Sequence, residues 1–146
     1  MTLSSDDLIV EAVWSRLAAD SMLASLMGGR ARQYHEWAEP DAPFPYLVHR
    51  FRSAPAPTPG MRLGTYVIDI WDHAPTAARL AAIQRRLTEL LDLAYLELPE
   101  LGIVRFWNER WEPVPQDEKN IWRRTSEWGV RYASKRELTA IVTRGG

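Results

Sequence analysis

The sequence predicts a single α+β domain in which a mainly antiparallel sheet packs against two helices. Two segments carry apolar residues at helical spacing, several short runs alternate apolar and polar residues as strands do, and proline-bearing or polar stretches separate them. A chain of 146 residues suits one domain with a single core. We expect the domain to span residues 1–134 and residues 135–146 to form a C-terminal tail that is free to be flexible.

The first helix is predicted over residues 8–19. Ser4 and Asp7 have the spacing of a capping box at its start, and an apolar stripe at i, i+4 and i+8 faces the core: Ile9, Val13 and Leu17. Val10 and Trp14 widen the apolar arc beyond that stripe, so we expect them on the flank of the helix. Asp20 can cap a short second turn that ends at Gly28 and Gly29.

Five strands and one further helix follow. The strands are predicted over residues 32–37, 46–51, 65–71, 103–111 and 121–133, and residues 96–101 are predicted to be a connection that ends at Gly102. The second helix covers residues 76–91, with Asp72 or Thr76 as its cap. The side chains expected to be nearly fully buried are Leu80, Ile83, Leu87, Leu91, Ile68 and Ile70.

Two loops are predicted to project from the domain and to order against partners. Residues 53–60 carry three prolines at alternate positions, which keeps them out of a strand ladder: Pro55, Pro57 and Pro59. Residues 112–120 carry two prolines and a charged run: Asp117, Glu118 and Lys119.

Composition and charge narrow the function classes. Eighteen Lys and Arg against nineteen Asp and Glu give a net charge of −1, which offers no electrostatic support for a dedicated nucleic-acid or membrane-surface binder. The chain has no cysteine, so disulfides and thiolate metal ligands are excluded. The N-terminus is acidic and lacks the features of a signal peptide, and no apolar run approaches the ~20 residues that span a bilayer. We therefore expect no membrane contact.

The residues that bear chemistry are scattered. His35, His49 and His73 fall in different predicted elements, where a surface or strand-edge position is the simplest interpretation, and no serine lies in a nucleophile elbow. No glycine-rich turn opens a helix as phosphate binding requires. The sequence thus predicts no catalytic residue, no metal site and no cofactor, and the protein is predicted not to be an enzyme.

Seven tryptophans in so short a chain indicate a contact surface. Trp107, Trp111, Trp122 and Arg123 belong to a segment that interleaves aromatic and basic residues, as single-strand nucleic-acid binders do. Acidic residues interleave there too, and Trp and Arg are enriched in protein–protein hot spots. We therefore favour a structural or subunit-contact role for this segment over nucleic-acid binding. The predicted interface residues are Val10, Trp14, Trp107, Trp111, Trp122, Arg123, Pro55, Pro57, Pro59, Asp117, Glu118 and Lys119.

The order of these motifs resembles the tail-terminator (tail-completion) proteins of long-tailed bacteriophages. The similarity covers roughly residues 8–133: an apolar helix, a Leu-rich turn that ends in Gly28-Gly29-Arg30, the strand that follows Phe44-Pro45, a strand that ends in Trp71 before a helix, and a closing strand from Trp128 to Tyr132. The departures are the long Trp-rich segment between Trp107 and Trp122 and the proline-rich insert.

The resemblance implies a structural virion protein with no enzymatic activity. Such a protein forms a ring, expected to be a homohexamer, that caps the tail tube, stops its polymerisation and provides the surface for head joining. The implied partners are other copies of the chain, the tail tube protein and a head-completion or connector protein, with DNA only as cargo through the ring. The implied location is the head-proximal end of the virion tail, after assembly in the host cytoplasm. The alternatives are another small neck or connector protein, a nucleic-acid-binding module, or a small enzyme.

Overall fold

The computed structural model describes residues 4–55, 61–98 and 101–133, which form one sheet and three helices. In chain order the elements are α1 (Ser5–Ala18), α2 (Ser21–Leu26), β1 (Gln33–His35), β2 (Tyr46–Pro55), β3 (Met61–His73), α3 (Ala78–Leu91), β4 (Tyr95–Leu98), β5 (Gly102–Val114) and β6 (Ile121–Ala133). The α+β class is confirmed in outline, and the predicted tail, residues 135–146, lies outside the described residues.

The sheet has the strand order β1-β2-β3-β6-β5-β4. Strands β2 to β6 pair antiparallel with their neighbours, whereas β1 runs parallel to β2. The sheet is therefore mixed. The helix count also differs from the predicted two, because the short turn after Asp20 forms the helix α2.

The starts of α1 and α2 follow from side-chain caps. The Ser4 hydroxyl accepts a hydrogen bond from the Asp7 N–H at 3.1 Å, and the Asp7 carboxylate accepts one from the Ser4 N–H, which completes the capping box. The Asp20 carboxylate accepts from the Leu23 N–H at 2.8 Å at the start of α2. Gly28 and Gly29 follow α2 with positive φ angles of 83° and 120°, as expected for a glycine that ends a helix.

The start of α3 does not match the sequence prediction. Ala77 is the N-cap and its side chain makes no capping hydrogen bond, although the Thr76 hydroxyl accepts from the Ala78 N–H at 3.3 Å. Asp72 is fully buried and its carboxylate binds the Arg79 guanidinium through two hydrogen bonds, so the prediction of Asp72 as a cap is wrong. A bidentate pair with arginine satisfies both carboxylate oxygens, which a cap would not do.

One core lies between the helices and one face of the sheet. All six side chains predicted to be buried are at most 1% exposed, so this prediction is confirmed. Tyr66, Ile68 and Ile70 face the helices from β3, and Trp128, Val130 and Tyr132 do so from β6. The alternation of buried and exposed residues along these strands is what a sheet covered on one side requires.

Strands extend into three segments predicted to be connections. Ser53, Ala54 and Pro55 continue β2 and pair with β3, and residues 112–114 continue β5 and pair with β6, so both predicted loops begin too early. Pro57 and Pro59 lie outside the described residues.

Residues 95–98 form β4, with Leu96 buried opposite Val104. Four residues are too few for a clear periodic signal, which explains why this strand was predicted to be a connection.

Asp20 joins the two helical regions, and we expect its loss to destabilise the fold. Its carboxylate caps α2 and binds Arg86 of α3 at 2.9 and 2.6 Å. Asp20→Ala is expected to lose about 1 kcal/mol through the cap, and the loss of the Arg86 pair adds to this. Urea unfolding followed by circular dichroism measures the change.

The Asp20 contribution should also depend on pH. The hydrogen bonds from Arg86, and then that from the Leu23 N–H, hold the pKa of Asp20 below its ordinary value of 3.8. A lowered folded-state pKa gives stability that is present above about pH 4 and is lost as the pH falls further. Asp41→Ala, at an exposed acid between β1 and β2, is the control, and equal losses for the two variants at pH 7 would contradict this role.

Candidate interaction surface

Among the described residues, no helix or strand covers the face of the sheet opposite the helices, and only the segment between β1 and β2 lies over part of it. Because side chains alternate, the residues between the core positions of each strand point to this open face. The open face carries Val48, Arg50 and Arg52 from β2, Val67, Asp69 and Trp71 from β3, Arg105 and Trp107 from β5, and Arg123, Glu127, Gly129 and Arg131 from β6. It is a mosaic of arginine, acid and tryptophan, of which arginine and tryptophan are the residue types enriched in protein–protein contacts.

An ion-pair cluster around a buried carboxylate lies at the centre of the open face. Asp69 is 3% exposed, and its Oδ2 accepts hydrogen bonds from Arg50 at 3.1 Å and from Arg123 at 2.9 Å. The Arg123 guanidinium also lies 4.9 Å from the ring centre of Trp71. The cross-strand positions of these residues on β2, β3 and β6 bring them together.

The cluster forms the floor of a cavity of about 360 Å³. The segment between β1 and β2 forms its other wall, with Trp37 82% exposed at the rim. Asp69 Oδ1 and the Nε atoms of Arg50 and Arg123 are buried and lack a hydrogen-bond partner within the described parts of the chain. Unsatisfied buried polar atoms are rare in folded proteins, so this cavity is a place where water or a partner can bind.

Trp107 covers a glycine on the open face. A Cβ atom at Gly129 would overlap the indole ring of Trp107, so the close approach of strand and ring requires glycine there. Trp107 is half-buried by this contact and forms one wall of a hollow of about 270 Å³ that Arg52, Leu63 and Thr65 also line. The predicted interface residue Trp107 thus lies on the open face and is held by the sheet.

We expect Gly129→Ala to displace Trp107 and to lower the free energy of unfolding by about 1–3 kcal/mol, the usual range for overpacking. The tryptophan fluorescence spectrum should shift to the red as the indole enters water. Thr65→Ala, at the exposed cross-strand neighbour of Gly129, is the matched control and should leave both quantities nearly unchanged. An unchanged spectrum for Gly129→Ala would contradict the packing described.

The flank of α1 is less apolar than predicted. Val10 is 8% exposed and belongs to the core, so the expectation that it lies on the flank of the helix, outside the core, is wrong. Trp14 is half-buried, because its ring stacks on His49 with the ring centres 5.4 Å apart. The packing of α1 against β2 accounts for the burial of both side chains. Only the outer part of Trp14 remains available for contact.

Trp111 and Trp122 pack against the helical side of the sheet. The Trp111 Nε1–H donates to the Thr88 hydroxyl of α3 at 3.2 Å, and the Trp122 Nε1–H donates to the Ala74 carbonyl at 2.9 Å. Both are half-buried beside the core. They do not share the open face with Trp107 and Arg123, so the predicted aromatic and basic segment divides between the two sides of the sheet.

The charged loop lies between β5 and β6. Asp117, Glu118 and Lys119 are exposed, and the turn closes with Asn120 at a positive φ of 68°. Pro55 ends β2 at the outer edge of the sheet. The loop and the ion-pair cluster lie toward the same end of the sheet, since Val114 pairs with Arg123 just before the loop begins.

Of the three histidines, the structure buries one that the sequence places at a surface or strand edge. His49 is fully buried, with Nδ1 2.6 Å from the Tyr66 hydroxyl and Nε2 2.7 Å from Gln33 Oε1, whereas His35 and His73 are exposed. The surface prediction for His49 is therefore wrong, because its side chain points to the side of the sheet that the helices cover, where the Trp14 ring of α1 stacks on it. In the described ranges, no group of three or more His, Cys, Asp or Glu side chains is placed to hold a metal ion.

No helix in the described residues is both long enough and apolar enough to cross a membrane.

Comparison with known proteins identifies a shared fold. No family model matches the chain, and no curated protein matches it. Among solved structures, a chain from the virion of a native gene transfer agent (GTA) particle is similar, with a TM-score of 0.72 and 22% sequence identity. The match covers 90% of this chain and the whole of that chain. The likeness establishes the fold over nearly the full length.

Sequence reasoning missed the ion-pair cluster and the buried histidine network. Asp69 lies in a strand where alternation places it on the face opposite Ile68 and Ile70, and nothing local predicts that two arginines meet it there. A signal was present: an acid in the middle of an apolar strand flanked by other strands that carry arginine at alternate positions. Gln33 and His49 lie in different strands, and their contact depends on the parallel pairing of β1 with β2.

Proposed function

We propose that this chain is a structural protein of a phage-like virion and that it acts as a tail terminator. In this role a ring of copies caps the tail tube, stops its polymerisation and presents a surface for head joining. The observation that carries the proposal is the likeness, over nearly all of this chain and all of the other, to a component of a gene transfer agent virion. The order of motifs along the sequence supports it independently.

The geometry of the chain suits assembly. A ring needs two different patches on each copy that fit one another. Besides the patches that join copies, the open face offers the other partners a surface rich in arginine and tryptophan, centred on Trp107 and Arg123. The exposed loop with Asp117, Glu118 and Lys119 offers them a second surface of different charge. These features favour contact with proteins, so we propose a non-enzymatic role.

Further copies of the chain, the tail tube protein and a head-completion or connector protein are the proposed partners. The proposed location is the head-proximal end of the tail. A neighbouring role, that of another small neck or connector protein, would use the same fold, and it differs in the protein that the ring binds. DNA enters this proposal only as cargo through the ring.

The test is to add the purified protein to tail tube protein of the same particle while it polymerises. We expect the tubes to stop growing and to carry extra density at one end in negative-stain electron microscopy. Tubes that grow to the same length with and without the protein, together with binding to the connector alone, would favour the neck-protein role over the terminator.

A further inference from the structure

We propose that neighbouring copies of this chain join through their sheets, with the free edge of β4 in one copy pairing with the free half of β2 in the next. This inference rests on the proposed ring and names the two surfaces that close it. The partner is a second copy of the chain, bound by main-chain hydrogen bonds and by one pair of opposite charges.

The outer edge of β4 carries main-chain groups without a strand beside them. The Ala94 carbonyl accepts from the Phe106 N–H at 2.9 Å, so the even-numbered positions of this strand point toward β5. The N–H and C=O groups of Tyr95 and Glu97 therefore point away from the sheet. Among the described residues, β4 is the outermost strand at one side of the sheet. The free edge of such a strand is a template for pairing with another chain.

The outer edge of β2 is covered only over its first half. Strand β1 pairs with residues 47–49, where the Leu47 N–H donates to the Arg32 carbonyl and the His49 carbonyl accepts from the Glu36 N–H, both at 2.9 Å. The odd-numbered positions of β2 thus face outward, and Phe51 and Ser53 have no strand beside them among the described residues. Pro55 has no N–H, so pairing would end there.

The two edges match in the number of free main-chain groups and in the direction of their strands. Each presents two N–H and two C=O groups, at Tyr95 and Glu97 on one side and at Phe51 and Ser53 on the other. Four antiparallel steps separate β2 from β4, so these strands run the same way. Rotation about a ring axis leaves the direction of a strand along that axis unchanged. The joint between neighbouring copies is therefore a parallel pair.

The side chains at the two edges are complementary. Glu97 and Arg52 are exposed, each points to the open face, and neither has an ion-pair partner among the described residues. A continuous sheet brings them to the same side of the joint, where opposite charges attract. Exposed apolar side chains lie at and beside the β4 edge: Leu93 is 69% exposed, Tyr95 60%, and Ile103 of the neighbouring strand β5 56%.

There is space beside β4 for an added strand. Helix α1 faces this strand across a groove of about 450 Å³, lined on the helix side by Leu8, Ala12 and Ser15. An added strand there would be covered by α1 on one side and would extend the sheet. Exposed apolar side chains and a free edge in one place are features that single-chain proteins usually avoid.

Proline at position 97 tests the main-chain part of the joint. In Glu97→Pro the lost N–H points outward, so the β4–β5 pairing and the fold should survive. We expect the Kd between copies to rise about tenfold or more, because one hydrogen bond is lost and its partner carbonyl is left unpaired. Glu97→Gln keeps the N–H and serves as the matched control, and equal weakening in both variants would contradict a main-chain joint.

A charge exchange tests the side-chain part. Arg52→Glu and Glu97→Arg should each shift the oligomer toward monomer in light scattering, and the double variant should restore it. Arg85→Glu changes the charge equally on the exposed outer side of α3 and should have no effect. A double variant that stays as weak as the single ones would contradict contact between positions 52 and 97.

Cross-linking identifies the partner edge directly, since the chain has no cysteine. With a short bismaleimide, a variant carrying both Arg52→Cys and Glu97→Cys should give a ladder of oligomers. A mixture of the two single variants should give dimers only, and each single variant alone should give none. If wild type forms a ring but the double variant does not cross-link, the proposed contact between the β4 and β2 edges is wrong, whereas the proposed ring is supported. Self-linking of one single variant would mean a two-fold contact and would also overturn the joint. If wild type stays monomeric, alone and with tube protein, the proposed ring fails and this joint fails with it.

Discussion

Acidification from pH 7.5 to pH 4.5 is expected to lower the free energy of unfolding by about 2–3 kcal/mol through His49 alone. The ring of His49 is fully buried, and burial, followed by the charge of His35, lowers its pKa from 6.5 to about 3. Its Nδ1 is 2.6 Å from the Tyr66 hydroxyl and its Nε2 2.7 Å from Gln33 Oε1, a geometry that suits a neutral ring that accepts from Tyr66 and donates to Gln33.

Acid lowers the free energy of unfolding because the unfolded state binds the proton and the folded state does not. Between about pH 3 and pH 6.5 the unfolded chain protonates this histidine and the folded chain does not. The contribution is therefore fully present above pH 6.5 and is lost progressively as the pH falls toward 3.

Urea unfolding at several pH values, for wild type and for His49→Gln, measures the effect. The variant should lose the part of the pH dependence between 6.5 and 4.5, whereas His73→Gln, at an exposed histidine, should keep it. Identical slopes for wild type and His49→Gln would mean that position 49 can take up a proton in the folded state, contrary to its burial.

Asp69→Ala is expected to lower the free energy of unfolding by about 2–3 kcal/mol. Removal of one partner of a buried ion pair leaves the other charge uncompensated, which costs about 3–5 kcal/mol when both are fully buried. The Arg50 and Arg123 side chains remain 41% and 25% exposed, so they can turn partly toward water, and we expect a smaller loss.

The same change should alter the open face. Without the carboxylate, two positive charges face one another beside Trp71, and Arg123 loses the bond that holds it over that ring. Asp69→Asn keeps the shape and one acceptor, so we expect it to lose less stability than alanine. Equal losses in the two variants by urea unfolding would show that the shape and the remaining acceptor contribute nothing at position 69 and that the loss of the charge accounts for the whole effect. A loss in Asp69→Ala with none in Asp69→Asn would contradict the role of the charge.

The core was predictable from the sequence and the long-range polar contacts were not. Leu80 and Ile83 of α3, and Ile68 and Ile70 of β3, follow helical and strand periodicity, and burial confirms these patterns. The prediction for Val10 was wrong because it assumed that α1 buries only one stripe of side chains. The helix buries a wider arc, which includes Val10. The His49 and Asp69 networks depend on strand pairing between distant segments, which no local pattern encodes.

The candidate surface was predictable only in part. Trp107 and Arg123 lie on the open face, while Trp111 and Trp122 contact the helical side through their indole N–H groups. Composition indicates that Trp and Arg are available for contact, but the side of the sheet is set by register. The bulge between Asn108 and Arg110 shifts that register within β5, so Trp107 and Trp111 point to opposite faces.

The mass of the purified protein in solution tests the proposed ring most directly. Native mass spectrometry and light scattering, across a range of concentrations and with negative-stain images of the same sample, should give one closed species of about six copies with a central hole. A monomer at every concentration, which remains monomeric when tail tube protein is added, would contradict the ring and with it the terminator role.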